Sequence, residues 1–256
     1  MREIDFVIGK KRVHSYVPES WMEMSERQFL AVIANIYGHL DDAGFYERFF
    51  GIPADEVKRM DFYYFYVLNS LLSFTRKMDG VTSFIVRTFQ LKEREMGVLT
   101  VKAPDAKLNG MTFQQFMMVD TFYTWYMQTK RRDYLVTMCC CLYLAEGEDF
   151  FMVDMDKRKL FWNECSEETL NAVLVQWSLI KAWLSKAYTH LFPSGGEVTE
   201  MKGQNGKVKV TNTWLEIFDT LVADDLSRIE SYKRLACMDV LRIVNFKIQE
   251  RKKQNG

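Results

Sequence analysis

The sequence predicts a mainly α fold, a multi-helix bundle with short β-hairpins near the N-terminus and around residues 80–103. Three observations lead there. Proline, the strongest helix breaker, occurs only four times in 256 residues, while Met alone contributes 15. Apolar residues recur at helical spacing in most of the long stretches between turn signals. Strand-like alternation is confined to the two hairpin regions.

The first twenty residues read as a hairpin. Ile4, Phe6 and Ile8 alternate, Gly9-Lys10-Lys11 turns, and Val13, Tyr16 and Val17 return. Ser25 opens a helix, with Gln28 three positions on as a capping box requires and Phe29, Val32, Ile33 and Ile36 following at helical spacing. Gly38 is the expected stop. A short helix over 41–50 ends at Gly51, and Pro53 opens another over 54–60. A longer helix is expected over 61–77. Val81, Phe84, Val86, Phe89, Val98 and Val101 mark the β excursion at 80–103, and 102–110 with Pro104 is a loop.

Thr112 starts the next helix, with Gln115 repeating the capping spacing, through Phe116, Val119, Phe122, Tyr123 and Tyr126. Met-[Ser/Thr]-x-x-Gln-Phe thus occurs at 24–29 and 111–116. Internal duplication and shared capping physics are the two explanations. A tight polar connection at 130–132 leads to an apolar helix over 134–145. Residues 146–163 read as a loop with extended pieces at 150–153 and 159–162. Ser166 opens the longest helix, with Glu167 and Glu168 complementing its dipole and a stripe from Leu170 to Leu191. Residues 194–212 are a hairpin or a flexible loop, with Asn205-Gly206 as the turn. Helices then follow over 214–222, 225–232 and 238–252. The whole reads as one helical domain, with 1–103 and 108–256 as sub-units.

Composition bounds the function. Lys plus Arg equals Asp plus Glu at 34 each, which gives no general attraction to nucleic acid or to an anionic membrane. No apolar run approaches the ~20 residues that span a bilayer. The N-terminal stretch has charges at positions 2, 3 and 5 and does not read as a signal peptide. Five cysteines, three of them adjacent at 139–141, suit a reducing compartment rather than a disulfide framework.

The tempting clusters each fail a spacing requirement. Adjacent helical side chains point about 100° apart, so Cys139, Cys140 and Cys141 cannot converge on one metal and read as small apolar filler. His14, His39 and His190 are isolated in sequence. The acidic pairs at 41–42, 167–168 and 224–225 fall at helix starts, where capping explains them. The segment Gly203-Gln204-Asn205-Gly206-Lys207 lacks phosphate-loop spacing, and no Gly-x-Ser-x-Gly elbow occurs. The expectation is therefore a non-enzymatic chain with no catalytic, cofactor-binding or metal residues and no cofactor.

The run Phe62-Tyr63-Tyr64-Phe65-Tyr66 is the most unusual local feature. Five successive aromatics cover a helix all round, so one core face cannot hold them all. Burial within the chain is the expected reading, and an interface with another chain is the alternative.

The second half has a further cadence. Leu108-Asn-Gly-Met-Thr-Phe-Gln-Gln-Phe-Met-Met-Val-Asp120 leads to an aromatic helix, a long helix ends in Tyr188-Thr-His-Leu-Phe192, and Trp214-Leu-Glu-Ile-Phe-Asp-Thr-Leu-Val and Met238-Asp-Val-Leu-Arg-Ile-Val-Asn-Phe close the chain. Over residues 108–253 this resembles helical proteins of tailed-phage and prophage tail-assembly modules of Bacteroides-type hosts, those lying near the tape-measure gene and similar to tail-assembly chaperones. The resemblance implies a protein partner, the tape-measure or another phage assembly protein, with the host cytoplasm or the virion as location. A homo-oligomeric ring or connector subunit of the virion is the alternative, and an enzyme with a scattered site the third reading. No nucleic-acid or membrane partner is expected. The helices at 166–191 and 238–252 offer apolar stripes for a partner helix, although a core needs the same stripes. The residues expected at the partner surface are Tyr63, Tyr64, Tyr66, Trp214, Val240, Leu241, Val244 and Ile248.

Overall fold

A computed structural model describes residues 2–8, 11–192, 213–222 and 226–254. Among them, helices dominate and strands form only two antiparallel hairpins. By its internal contacts the chain divides into two units: 1–86 with 166–183, and 87–165 with 184–256. The division departs from the expected 1–103 and 108–256, because one long helix returns to the first segment.

Unit 1 begins with strands β1 (Arg2–Ile8) and β2 (Lys11–Val17). The register pairs Ile8 with Lys11 and Arg2 with Val17, and Ile8 and Val17 are buried. The turn residues 9 and 10 lie outside the described residues. Helix α1 (Glu26–Ile36) starts as expected: the Ser25 side chain accepts from Gln28 N, and Gln28 Oε1 accepts from Ser25 N at 3.1 Å. Asp41 caps α2 (Asp42–Phe50), and Gly51 ends it in the left-handed region at φ +75°. The helix α3 (Ala54–Val57) is a single turn.

Helix α4 (Phe62–Leu71) is shorter than the expected 61–77, because the chain tightens into a 3-10 turn at Ser73–Arg76. Trp21 locks that corner: its Nε1 donates to the Lys77 carbonyl at 2.8 Å, and its ring meets Phe29 and Phe74 edge-on.

Residues 80–86 alternate like a strand yet pair with a helix, α8 (Glu167–Ala187). Val81 N donates to the Leu179 carbonyl at 3.2 Å, and Val86 N donates to Gln176 Oε1 at 2.7 Å. Gln176 is wholly buried, and its side chain serves the backbone there. Gly80 lies so close to α8 that a Cβ would fall 2.2 Å from Trp183 N. Within unit 1, α8 is buried on most sides between Leu170 and Ile180, wider than the one stripe expected from sequence.

Unit 2 starts with β3 (Thr88–Glu93) and β4 (Gly97–Lys102), so the expected β region holds strands only over 88–102. The Glu93 carboxylate accepts from Glu95 N and Met96 N, and Gly97 supplies the positive φ that closes the three-residue loop. Thr112 caps α5 (Phe113–Thr129) by accepting from Gln115 N. Here the capping box is left half-made. Gln115 Nε2 donates instead to the Cys141 carbonyl at 2.8 Å, which ties α5 to α6 (Arg132–Leu142).

The 150–162 region is not extended. A 3-10 turn at Phe150–Met152 precedes helix α7 (Met155–Asn163), whose N-cap Asp154 accepts from Lys157 N. Arg132 clips the end of α7, donating to Asn163 Oδ1 at 3.1 Å and to the Asn163 carbonyl at 3.2 Å. Segment 194–212 lies outside the described residues. Helices α9 (Thr213–Val222), α10 (Ile229–Arg234) and α11 (Cys237–Gln254) complete the unit. Phe113 N donates to the Leu235 carbonyl and Cys237 N to the Met111 carbonyl, so the α10–α11 corner is stitched to the start of α5.

Candidate functional site

The aromatic run is where the structure departs most from expectation. Asp61 caps α4 by accepting from Tyr63 N at 2.9 Å, and no Gly or Pro interrupts the ten residues that follow. At 100° per residue, Tyr64, Phe65, Val67, Leu68 and Leu71 share one side of the helix, and Phe62, Tyr63 and Tyr66 fall within a 100° arc on the other. The first group packs inward. Leu68 is buried, and Phe65 meets Tyr46 of α2 edge-on at 5.1 Å. Tyr46 in turn stacks on Phe50, and burial together with the charge of Asp42 pushes its phenol up to about 12.

The second group is bare. Phe62 is 82% exposed, Tyr63 66% and Tyr66 67%. Tyr64 is half-buried and braces Tyr63 edge-on at 5.8 Å. The expectation that the run is buried within the chain is therefore corrected: Tyr64 and Phe65 are half-buried and the other three are exposed. With ~150–250 Å² per aromatic side chain, the three rings leave on the order of 450 Å² in water. Patches of roughly that size are the largest found on monomers and often serve binding. The stretch 62–75 contains no charged residue, and Asn69 and Ser70 are the exposed polar residues of α4 beside the three rings.

Of the other residues expected at a partner surface, four lie in the interior of unit 2. Trp214 is buried, its Nε1 donating to Asp120 Oδ2 at 2.7 Å and its ring edge-on to Phe116 at 5.0 Å. Val240, Leu241 and Val244 are buried on the side of α11 that faces the core, and Ile248 is half-buried. An amphipathic stripe has the same pattern whether a core or a partner covers it, so spacing alone could not separate these from Tyr63 and Tyr66. Phe62 joins Tyr63 and Tyr66 on the exposed side, and its i, i+4 relation to Tyr66 is the sequence signal that pairs them.

The polar candidates resolve into structural roles. His14 sits on the outer face of the first hairpin, with Asp5 Oδ1 and Glu3 Oε1 each 3.0 Å from a ring nitrogen. Its hydrogen bond, with that of Arg12, holds the Asp5 carboxyl below the usual range. The five thiols are free, and burial pushes each of them up, Cys140 and Cys237 to about 12 and Cys165 to about 11. Protonated buried thiols behave as small apolar side chains. Among the described residues, no group of three or more His, Cys, Asp or Glu is placed to hold a metal ion. An open depression of about 520 Å³ is lined by Glu26, Arg27, Leu30, Arg48 and Glu168, where Arg48 pairs with Glu168 at 3.3 Å and Arg27 donates to the Glu47 carbonyl. No described helix is long and apolar enough to cross a membrane. No family model, curated protein or solved structure matches the chain.

Proposed function

We propose that the chain is a non-enzymatic assembly factor that binds a helical partner protein, acting as a tail-assembly chaperone for a phage tape-measure protein. The observation that carries this reading is the bare aromatic face of α4. The phage assignment rests on the sequence resemblance over 108–253, whereas α4 lies outside that range. Support for partner binding and support for the partner's identity are therefore separate.

A long partner helix presents an apolar stripe, and Phe62, Tyr63 and Tyr66 form a ridge of matching width. Their backbone is fixed by the Asp61 cap and the inward packing of Phe65 and Leu68, so little order is lost on binding. Covering ~450 Å² at ~25 cal/mol/Å² yields on the order of 10 kcal/mol gross. Association costs ~4–15 kcal/mol, so the net affinity is modest and the complex reversible. A factor that must later release its client needs that balance.

The test is co-expression with the longest helical protein encoded beside this chain's gene. The expected result is co-purification, lost when Phe62, Tyr63 and Tyr66 are all changed to Ser. Because these side chains are exposed, the variant's thermal midpoint should move little. Absence of both flanking tail genes and a complex would overturn the chaperone reading. Symmetric rings by native mass spectrometry would replace it with the virion-subunit reading.

A further inference from the structure

Unit 2 carries a second exposed helix face with different chemistry. Helix α11 turns Cys237, Val240, Leu241 and Val244 inward, where they are buried. Its flank is covered too: Asn245 Oδ1 accepts from His190 N at 3.0 Å and Leu191 N at 3.1 Å. On the opposite face stand Ile243 and Phe246, 42% and 55% exposed. At 100° per residue they lie between Arg242 and Lys253 on one side and Lys247 on the other, with Asp239 and Glu250 along the middle.

The charge of this helix is distinctive. Unit 1 holds 11 basic and 14 acidic residues, and unit 2 holds 23 and 20. Helix α11 has five basic residues against two acidic, an excess as large as that of all of unit 2. Arg242 pairs with Asp239 at 3.5 Å, but Lys247, Arg251, Lys252 and Lys253 make no ion pair among the described residues.

We propose that this face docks an acidic amphipathic helix of a partner protein. Partner apolar side chains would cover Ile243 and Phe246, and partner carboxylates would meet Arg242, Lys247 and Lys253. Charge complementarity selects this occupant. A bilayer is disfavoured because the larger apolar stripe of α11 is already spent on the core, which leaves two side chains to insert. A nucleic acid is disfavoured because Asp239 and Glu250 would face its phosphates and the apolar pair would gain nothing. A partner helix can instead answer both carboxylates with its own Lys.

The test uses the full-length chain and a synthetic helical peptide of about 21 residues, with Leu at helical spacing, two Lys placed along the Leu stripe to meet Asp239 and Glu250, and Glu on either side. Binding is read by fluorescence anisotropy. The acidic peptide is expected to bind about tenfold more tightly than its Glu→Lys counterpart, and to weaken severalfold between about 50 and 300 mM salt. R242E/K247E should weaken it about tenfold and Phe246→Ser severalfold, while Lys92→Glu on β3 and the α4 triple variant change nothing. Equal binding of the two peptides or no binding of the acidic one would overturn the proposal. So would capture of phosphatidylglycerol vesicles or a DNA duplex in place of the acidic peptide. The salt series on the unmodified chain decides the matter even if a variant misfolds.

Discussion

Four buried thiols make the stability of unit 2 sensitive to alkali. Cys139, Cys140, Cys141 and Cys237 all belong to unit 2 and are wholly buried. Desolvation is the leading cause of each raised thiol, and it takes Cys140 and Cys237 from an ordinary 9.0 to about 12. A group with a raised folded-state pKa contributes stability that is complete below the unfolded value of about 9 and is lost as pH climbs toward about 12.

At pH 10 most of the unfolded chain's thiols are thiolate, while the buried thiols of the folded chain keep their protons. That costs on the order of 1 kcal/mol per thiol, or several kcal/mol for the four. The whole stability of a domain is only ~5–15 kcal/mol. Urea unfolding followed by tryptophan fluorescence should show the midpoint of unit 2 falling by ~2 M between pH 8 and pH 10 for a slope near 2.5 kcal/mol/M. Cys139, Cys140, Cys141 and Cys237 should resist alkylation by iodoacetamide in the native chain at pH 10 and react on unfolding. In C140V/C237V the pH-induced drop should shrink by about half, whatever the substitutions do to packing at pH 8. A midpoint that ignores pH, or alkylation of these four thiols in the native chain at pH 10, would refute the reasoning.

Two further outcomes are expected. Gly80→Ala places a methyl 2.2 Å from Trp183 N and 2.4 Å from its Cα, and backbone cannot swing aside; a loss of about 3 kcal/mol in unit 1 is expected by thermal denaturation, and an unchanged midpoint would contradict the close approach. Trp214→Phe keeps the ring but removes the Nε1 donor from buried Asp120, so unit 2 should lose about 1–3 kcal/mol in urea titration, with a loss under ~0.5 kcal/mol speaking against the bond.

Local chemistry made much of the fold legible. Ser25 with Gln28, Asp41, Gly51 and Thr112 act as their types predict, since caps and stops are decided within one turn of chain. Where tertiary partners decide, reading by pattern failed. Val81, Phe84 and Val86 alternate as a strand would, but their partner is α8, about ninety residues away. Residues 155–163 mix charge with Phe161 and Trp162, and only the Asp154 cap marks them as a helix. Gln115 repeats the spacing of Gln28 and spends its side chain elsewhere. The exposed aromatic face was half legible. A five-aromatic run says that one side must be exceptional, but not which side, because the inward and outward rings are chemically alike. Trp214 and the α11 stripe have the pattern of a binding surface and are used as core.

The route of the chain also sets a timetable. Residues 1–86 are made first, yet the Val81 and Val86 amides find their acceptors only when Leu179 and Gln176 exist. Between them come the 79 residues 87–165, all assigned to the other unit. At ~5–20 residues per second, synthesis leaves the first segment incomplete for ~4–16 s. The second unit likewise waits for its final helices. The nascent chain thus carries unfinished apolar surface for most of its synthesis, and a break before residue 183 leaves the first unit without the helix that completes it.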